Sequence, residues 1–202
     1  MYQGHQYPVW DIDNGEQDVY FVSGSMDGTA RLWTTDRVQP LRIFAGHLSD
    51  VNSVALHRNI NYVLSGSSDR TCRLWDNLTG DAVRLFTGHD SPISKVVYSP
   101  NGRLFACASY QTVYVWEVAE CKLLCKGEGH KDVITSLAFD KNSHILTSGS
   151  IDGGVCIWDL HSGELMRPIK AIYTKATPIL DLQFTKRNLL MAVGSFCPEM
   201  LK

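Results

Sequence analysis

The chain has 202 residues, with 19 Lys+Arg against 21 Asp+Glu and a formal net charge of −2. That balance excludes a broadly basic nucleic-acid-binding domain. Hydrophobic residues at 44% and charged ones at 20% exclude a disordered chain, and no apolar run approaches the ~20 residues of a membrane helix.

Gly4-His5 opens the first of four similar segments. Residues 5–45 contain the tight-turn sequence Met26-Asp27-Gly28 and reach Trp33. Residues 47–87 follow Gly46-His47 and divide into four runs rich in β-branched and aromatic residues: VNSVAL (51–56), NYVLSG (61–66), TCRLWD (71–76) and AVRLF (82–86). Each has the length of a short strand. The turn formers His57-Arg58-Asn59, Ser68-Asp69-Arg70 and Asn77-Leu78-Thr79-Gly80 separate them. Residues 89–128 follow Gly88-His89 and reach Trp116. Residues 130–170 follow Gly129-His130, turn at Asp152-Gly153-Gly154 and reach Trp158. Two further runs, 177–184 and 188–196, have the form of the first two strands of another unit.

The Gly-His histidines stand 42, 42 and 41 residues apart, and the tryptophans 42, 41 and 42. Asp27, Asp69 and Asp152 each precede their tryptophan by six residues. Three ordered landmarks at one period, with four strands per period, are the signature of a WD-repeat β-propeller. Ankyrin and tetratricopeptide arrays have shorter, helical periods. The expected fold is all-β, a partial WD40 propeller of about four and a half four-stranded antiparallel blades. Its repeats are 5–45, 47–87, 89–128 and 130–170, with a half blade at 177–196. Propellers of this kind usually have seven blades. Leaving roughly 400 Å² of apolar blade face open at each end forgoes about 10 kcal/mol, comparable with a domain's whole stability of about 5–15 kcal/mol. The chain is therefore expected to be a fragment of a longer protein, an incomplete gene product or half of an assembly that another chain closes.

In WD proteins generally, the Gly-His histidine bonds the aspartate of the b–c turn, and a strand-b Ser or Thr links that histidine to the tryptophan. The resemblance assigns three structural sets here: His5, Ser23, Asp27 and Trp33; His47, Ser65, Asp69 and Trp75; His130, Ser148, Asp152 and Trp158. The third repeat departs. His89 and Trp116 remain, but Ala106 and Tyr110 replace the serine and aspartate. This blade is expected to be less rigid, or to be compensated by a surface contact of Tyr110.

Within WD proteins, TARLWTTDRVQPLRIFAGHLSDVNSV (29–54), YVLSGSSDRTCRLWD (62–76) and VRLFTGH (83–89) resemble, in order, the TBP-associated factor 5 family, the WD-repeat subunits of general transcription factor TFIID. YTKATPILDLQFTKRNLLMAVGSF (173–196) is similar to that family's final blade. The resemblance spans residues 3–196. A paralogous family in SAGA-type coactivators has related repeats and a less similar tail. The TFIID family also carries an N-terminal helical region and about two earlier blades. The resemblance implies a nuclear, non-enzymatic scaffold whose propeller docks histone-fold TBP-associated factors (subunits 6 and 9) and other TFIID subunits. It implies no cofactor, metal, membrane, small-molecule substrate or direct sequence-specific nucleic-acid binding. Asp50, Arg70, Asp90 and Lys131, in the d–a and b–c loops, form the candidate partner surface.

Other chemistry fits less well. Ser, His and Asp recur together as in a hydrolase triad, but they repeat three times at blade turns and no Gly-x-Ser-x-Gly elbow is present. Cys121 and Cys125 fall in the run CKLLC, expected as strand d, without further ligands at metal spacing. The six cysteines read as buried reduced thiols of an intracellular protein, and residues 1–8 lack the basic start and apolar core of a signal peptide. Arg31 and Arg73 share one strand-c position, expected to salt-bridge a neighbouring blade. A ubiquitin-ligase substrate adaptor is the other class considered. Its Trp-Asp-x-Arg pattern fails, because Asp36, Leu78, Ala119 and His161 stand in the arginine's place.

Overall fold

A computed structural model describes residues 2–15, 19–160, 165–174 and 177–196. They contain strands and turns but no helix, so none is long and apolar enough to cross a membrane. The chain forms two compact units, residues 1–96 and 97–202.

The first unit contains two complete four-stranded meanders. One is β1 (Val9–Asn14), β2 (Tyr20–Ser25), β3 (Thr29–Thr34) and β4 (Arg42–Ala45); the next is β5 (Val51–Leu56), β6 (Tyr62–Ser67), β7 (Cys72–Asp76) and β8 (Ala82–Phe86). The boundary between the units runs through β9 (Ile93–Tyr98), which precedes β10 (Leu104–Ser109), β11 (Thr112–Glu117) and β12 (Lys122–Glu128). The fourth meander has β13 (Ile134–Phe139), β14 (Ile145–Ser150) and β15 (Gly154–Asp159). After these, β16 (Leu165–Met166) leaves the blade and pairs in parallel with β12, and β17 (Lys170–Tyr173) becomes the outer strand beside β15. The fourth blade thus runs on to Tyr173, past the repeat boundary read at residue 170. β18 (Ile179–Phe184) and β19 (Leu190–Gly194) make an antiparallel pair. The fold class is that of a partial β-propeller, five sheets in which neighbours run antiparallel except for β16.

The same irregularity recurs where the first strand meets the second. Register shifts between Val9 and Asp11, Val51 and Ser53, Ile134 and Ser136, and Ile179 and Asp181. A bulge there turns the intervening side chain out of the ladder. Asn52 Nδ2 donates to the Ile93 carbonyl at 2.8 Å, and Thr135 Oγ1 to the Ile179 carbonyl at 2.5 Å. Asn52 and Thr135 thereby tie their blades to the first residue of the next.

Apolar burial runs between blades. In the first unit Val22, Leu32 and Phe44 share one cluster with Val51, Val54, Val63 and Trp75. In the second, Ala106, Val113, Val115 and Cys125 share one with Ile134, Leu137, Leu146 and Trp158. Each of these tryptophans therefore packs on the blade before it, as Trp75 does on Phe44 with ring centroids 5.7 Å apart. A polar line joins the inner strands. Ser53 Oγ donates to Asp11 Oδ2 at 2.6 Å and accepts Val96 N–H at 3.1 Å, while Lys95 Nζ lies 3.0 Å from both Asp11 oxygens. Val9 and Ile12 are 42% and 62% exposed, whereas the corresponding Val51 and Val54 are buried against the preceding blade. Leu180, Met191 and Val193 are likewise exposed on β18 and β19.

Gly66 shows how close the blades come. A Cβ there would lie 2.6 Å from both Ile93 Cγ2 and Val96 Cγ1. We expect Gly66→Ala to destabilise the first unit by about 1–3 kcal/mol, the usual cost of overpacking, read as a lower urea midpoint with an unchanged slope. An unchanged midpoint contradicts this packing.

Candidate functional site

The recurring polar sets sit where the b–c turn meets the loop entering the blade. In the first blade His5 Nδ1 donates to Asp27 Oδ2 at 2.7 Å, Ser23 Oγ donates to His5 Nε2 at 2.7 Å, and Trp33 Nε1 donates to Ser23 Oγ at 2.8 Å. In the second, the same bonds join His47, Asp69, Ser65 and Trp75 at 2.8, 2.7 and 2.8 Å. In the fourth, Ser148 bonds His130 and Trp158 at 2.6 and 2.8 Å, but His130 Nδ1 stands 3.5 Å from Asp152.

Donor and acceptor chemistry fixes the proton positions. An indole N–H only donates, so serine's own proton goes to Nε2; a carboxylate only accepts, so the imidazole proton sits on Nδ1. Burial lowers the pKa of His5, His47 and His130 against the opposing pull of their aspartates, keeping the rings neutral. Burial alone would raise the aspartates. Bonds from Thr71, His47 and the Leu48 N–H outweigh it at Asp69 and bring that carboxyl down to about 2. Asp27 and Asp152 are lowered for the same reason.

The difference between the sets has a local cause absent from the sequence reading. Thr29 Oγ1 donates to Asp27 Oδ1 at 2.6 Å and Thr71 Oγ1 to Asp69 Oδ1 at 2.7 Å. Gly154 occupies that place in the fourth blade and offers only its N–H, at 2.6 Å. Asp152 therefore has one fewer hydroxyl to orient it. Threonine two residues after the aspartate was the available signal. A second signal was the serine two residues before it: Ser25, Ser67 and Ser150 accept the N–H of Asp27, Asp69 and Asp152 at 3.1, 3.1 and 3.3 Å.

The third repeat is built differently. Its β10–β11 turn is only Tyr110-Gln111, one residue shorter than Met26-Asp27-Gly28. Tyr110 adopts a φ of 55° with its ring half exposed. Its carbonyl, not its ring, accepts the Ile134 N–H at 2.8 Å, and Gln111 Nε2 reaches the Lys131 carbonyl at 2.5 Å. Ala106 is fully buried, and Trp116 stacks on Phe105 with centroids 6.4 Å apart. His89 Nδ1 donates to the Arg70 carbonyl at 3.1 Å.

Arg31 pairs with Asp27 of its own blade at 3.3 Å, not with a neighbour, because the four-residue spacing brings the guanidinium over the turn. Arg73 instead stands 5.9 Å over the Trp75 ring. Cys121 precedes β12 with a φ of 53°, so only Cys125 of that pair lies in the strand. Burial pushes the Cys125 and Cys156 thiols up to about 11, which keeps them protonated. Cys197 lies outside the described residues.

Arg70 and Asp90 are exposed and Asp50 is half-buried, all on the loop edge of the first unit that carries the polar sets. Asp50 holds the next turn through its carbonyl, which accepts the Ser68 N–H at 2.9 Å. Lys131, in the second unit, is exposed; its N–H donates to Asp152 at 2.8 Å and its ammonium stands 6.0 Å over the Tyr173 ring.

The Ser–His–Asp geometry has the distances of a nucleophilic triad. In each set, however, the serine is buried and its oxygen already accepts an indole N–H. What the arrangement does is satisfy four polar groups that would otherwise be costly to bury.

The WD40 family pattern (WD domain, G-beta repeat) matches residues 1–34, 38–76 and 80–117. The chain belongs to the WD40 repeat family. The Vps8 beta-propeller pattern also matches residues 112–194. WD40 proteins are generally non-enzymatic scaffolds for protein–protein interaction. The chain is 31% identical to transcription initiation factor TFIID subunit 5 of Caenorhabditis elegans, over 93% of this chain and 32% of that protein. It is 24% identical to pre-mRNA-processing factor 19 of Oryza sativa subsp. japonica, over 95% of this chain and 37% of that protein. Its identity to a guanine nucleotide-binding protein subunit beta of Arabidopsis thaliana is 32%, over 77% of this chain and 44% of that protein. The chain thus spans less than half the length of these relatives.

Two outcomes follow for this WD40 chain. Ser65→Ala deprives both His47 and Trp75 of their partner, so we expect a loss of about 2–6 kcal/mol, two unsatisfied buried groups at about 1–3 kcal/mol each, seen in chemical denaturation. A loss no larger than that of an exposed Ser→Ala change contradicts it. The pH dependence has a defined sign. The histidines are held neutral, so the unfolded chain binds protons that the fold does not, and stability falls as pH drops below about 6.5. Asp69 acts lower: its contribution is complete above about pH 4 and is lost as pH falls through about 2. The melting temperature should therefore decline from pH 7.5 to 5, and a flat profile contradicts the neutral-ring assignment.

Proposed function

We propose that the chain is a non-enzymatic scaffold of RNA polymerase II transcription initiation, acting in the nucleus as the WD40 part of a TFIID subunit. The observation that carries this reading is the 31% identity to TFIID subunit 5 across 93% of the chain. The propeller docks the histone-fold pair of TBP-associated factors, subunits 6 and 9, and contacts other TFIID subunits. Within the first unit, the docking surface is the loop edge carrying Asp50, Arg70 and Asp90; within the second, it is the loop carrying Lys131. The physical support is a division of labour. The buried sets fix the turns, while the charged side chains on those turns are free to differ between WD proteins. The exposed faces of β1 and of β18–β19 support completion of the ring by further blades.

The test is binding of the chain to the purified heterodimer of subunits 6 and 9, followed by light scattering and calorimetry. We expect a stoichiometric complex that Arg70→Glu and Asp90→Lys together weaken by about tenfold or more, the range for paired interfacial charges. No complex, or one indifferent to both substitutions, overturns the assignment.

A further inference from the structure

The antiparallel meander places the b–c turns and entering loops at one edge of each blade and the a–b and c–d turns at the other. In the second unit Lys131 and the polar set of His130 lie at the former edge. At the latter is a pocket of about 360 Å³, within the ~300–1,000 Å³ range of ligand sites. Three successive first strands deliver its apolar walls. Phe139 ends β13, Phe184 ends β18, and Pro100 stands in the turn that follows β9. Phe139 is only 6% exposed and belongs to the cluster that holds Trp158, while Phe184 packs on the cluster of Ile179 and Leu182. The walls are therefore fixed by the cores behind them.

The turns that follow these strands carry the charge. Lys141 lines the pocket from the β13–β14 turn and Lys186 from the β18–β19 turn, and both are exposed. The two turns are bonded to each other. Lys141 N–H donates to Asn188 Oδ1 at 3.0 Å, and Asn188 N–H donates to the Thr185 carbonyl at 2.9 Å. Thr185 also lines the pocket, and its hydroxyl oxygen accepts the Leu189 N–H at 3.1 Å. Among the described residues no carboxylate lines the pocket, and none forms an ion pair with Lys141, Lys186 or the adjacent Arg187. Asp140, next to Lys141 in the chain, is 2% exposed, and its carboxylate accepts the N–H groups of Asn142, His144 and Ile145 at 3.1, 2.7 and 2.8 Å. That negative charge is used in closing its own turn.

We infer that this pocket is a second docking site, for an acidic peptide that seats one aliphatic side chain among Pro100, Phe139 and Phe184 and sets flanking carboxylates on Lys141 and Lys186. Charge selects the occupant: the lining is apolar apart from Thr185 and two lysines with no anion beside them, so a negative ligand is attracted and a positive one repelled. The aromatic rings select a peptide over a nucleic acid. Phe139 is embedded in the core and Phe184 is packed against it, so neither is the free platform on which a base stacks. The site lies on the opposite edge of the second unit from Lys131 and does not depend on the histone-fold assignment.

The experiment uses fluorescence anisotropy with the full chain and four labelled probes. These are the nonapeptide Gly-Ser-Glu-Asp-Leu-Glu-Asp-Ser-Gly, the same peptide with lysine at every acidic position, the acidic peptide with glycine in place of leucine, and a single-stranded oligothymidylate. The acidic peptide should bind and the basic one should not. Exchanging leucine for glycine should weaken binding by about tenfold, for the apolar area no longer buried. The oligothymidylate should bind more weakly than the acidic peptide. Lys141→Glu and Lys186→Glu together, both at exposed positions, should lower acidic-peptide affinity by about tenfold or more without altering the melting temperature. Lys170→Glu, the same charge change at an exposed position on β17, should leave binding unchanged. Absence of acidic-peptide binding, indifference to the paired lysine substitutions or to loss of the leucine, an equal effect of Lys170→Glu, or oligothymidylate binding as tight as the peptide's overturns the proposal.

Discussion

The structure depends on one buried hydroxyl used in both directions. In each complete set a serine oxygen accepts the tryptophan indole N–H and passes its own proton to the histidine, whose other nitrogen faces the aspartate of the turn. Trp75 and Trp158 supply the apolar bulk on which the preceding blade rests, and a buried indole N–H would be a liability without the serine. Packing between blades and closure of the turn are therefore coupled through a single oxygen. Removing it strands two donors or acceptors at once, whereas removing an exposed turn residue strands none.

This coupling explains why the sets recur and why they are not equivalent. Thr29 and Thr71 add a hydroxyl to their aspartates, and the histidine–aspartate distance is 2.7–2.8 Å. Where Gly154 stands, the distance is 3.5 Å. The third repeat drops the arrangement altogether, shortens its turn by one residue, and uses the Tyr110 carbonyl and the Gln111 amide to hold the loop of the next blade. With both the serine and the aspartate replaced, His89 instead donates from Nδ1 to the Arg70 carbonyl at 3.1 Å.

The periodic landmarks made the all-β class and the four-strand period legible, because a pattern of Gly-His, Asp and Trp at a fixed interval admits one regular architecture. Less legible was anything that depends on a residue leaving the pattern. Leu165–Met166 falls within the repeat read as 130–170, yet it pairs with β12, and the fourth blade takes Lys170–Tyr173 as its outer strand. The Arg31 pairing within its own blade followed from a turn geometry that spacing alone does not specify. Function was legible only at the level of the family, since the residues that repeat are those that build the scaffold.

The most direct test of this account is hydrogen–deuterium exchange of the tryptophan indole N–H groups, followed by NMR on indole-labelled protein. Trp33, Trp75 and Trp158 should exchange far more slowly than Trp10, whose side chain is half exposed, and Ser65→Ala should accelerate exchange at Trp75 first. Exchange of all of them at the rate of Trp10 would contradict the claim that the serine-centred sets hold the blades together.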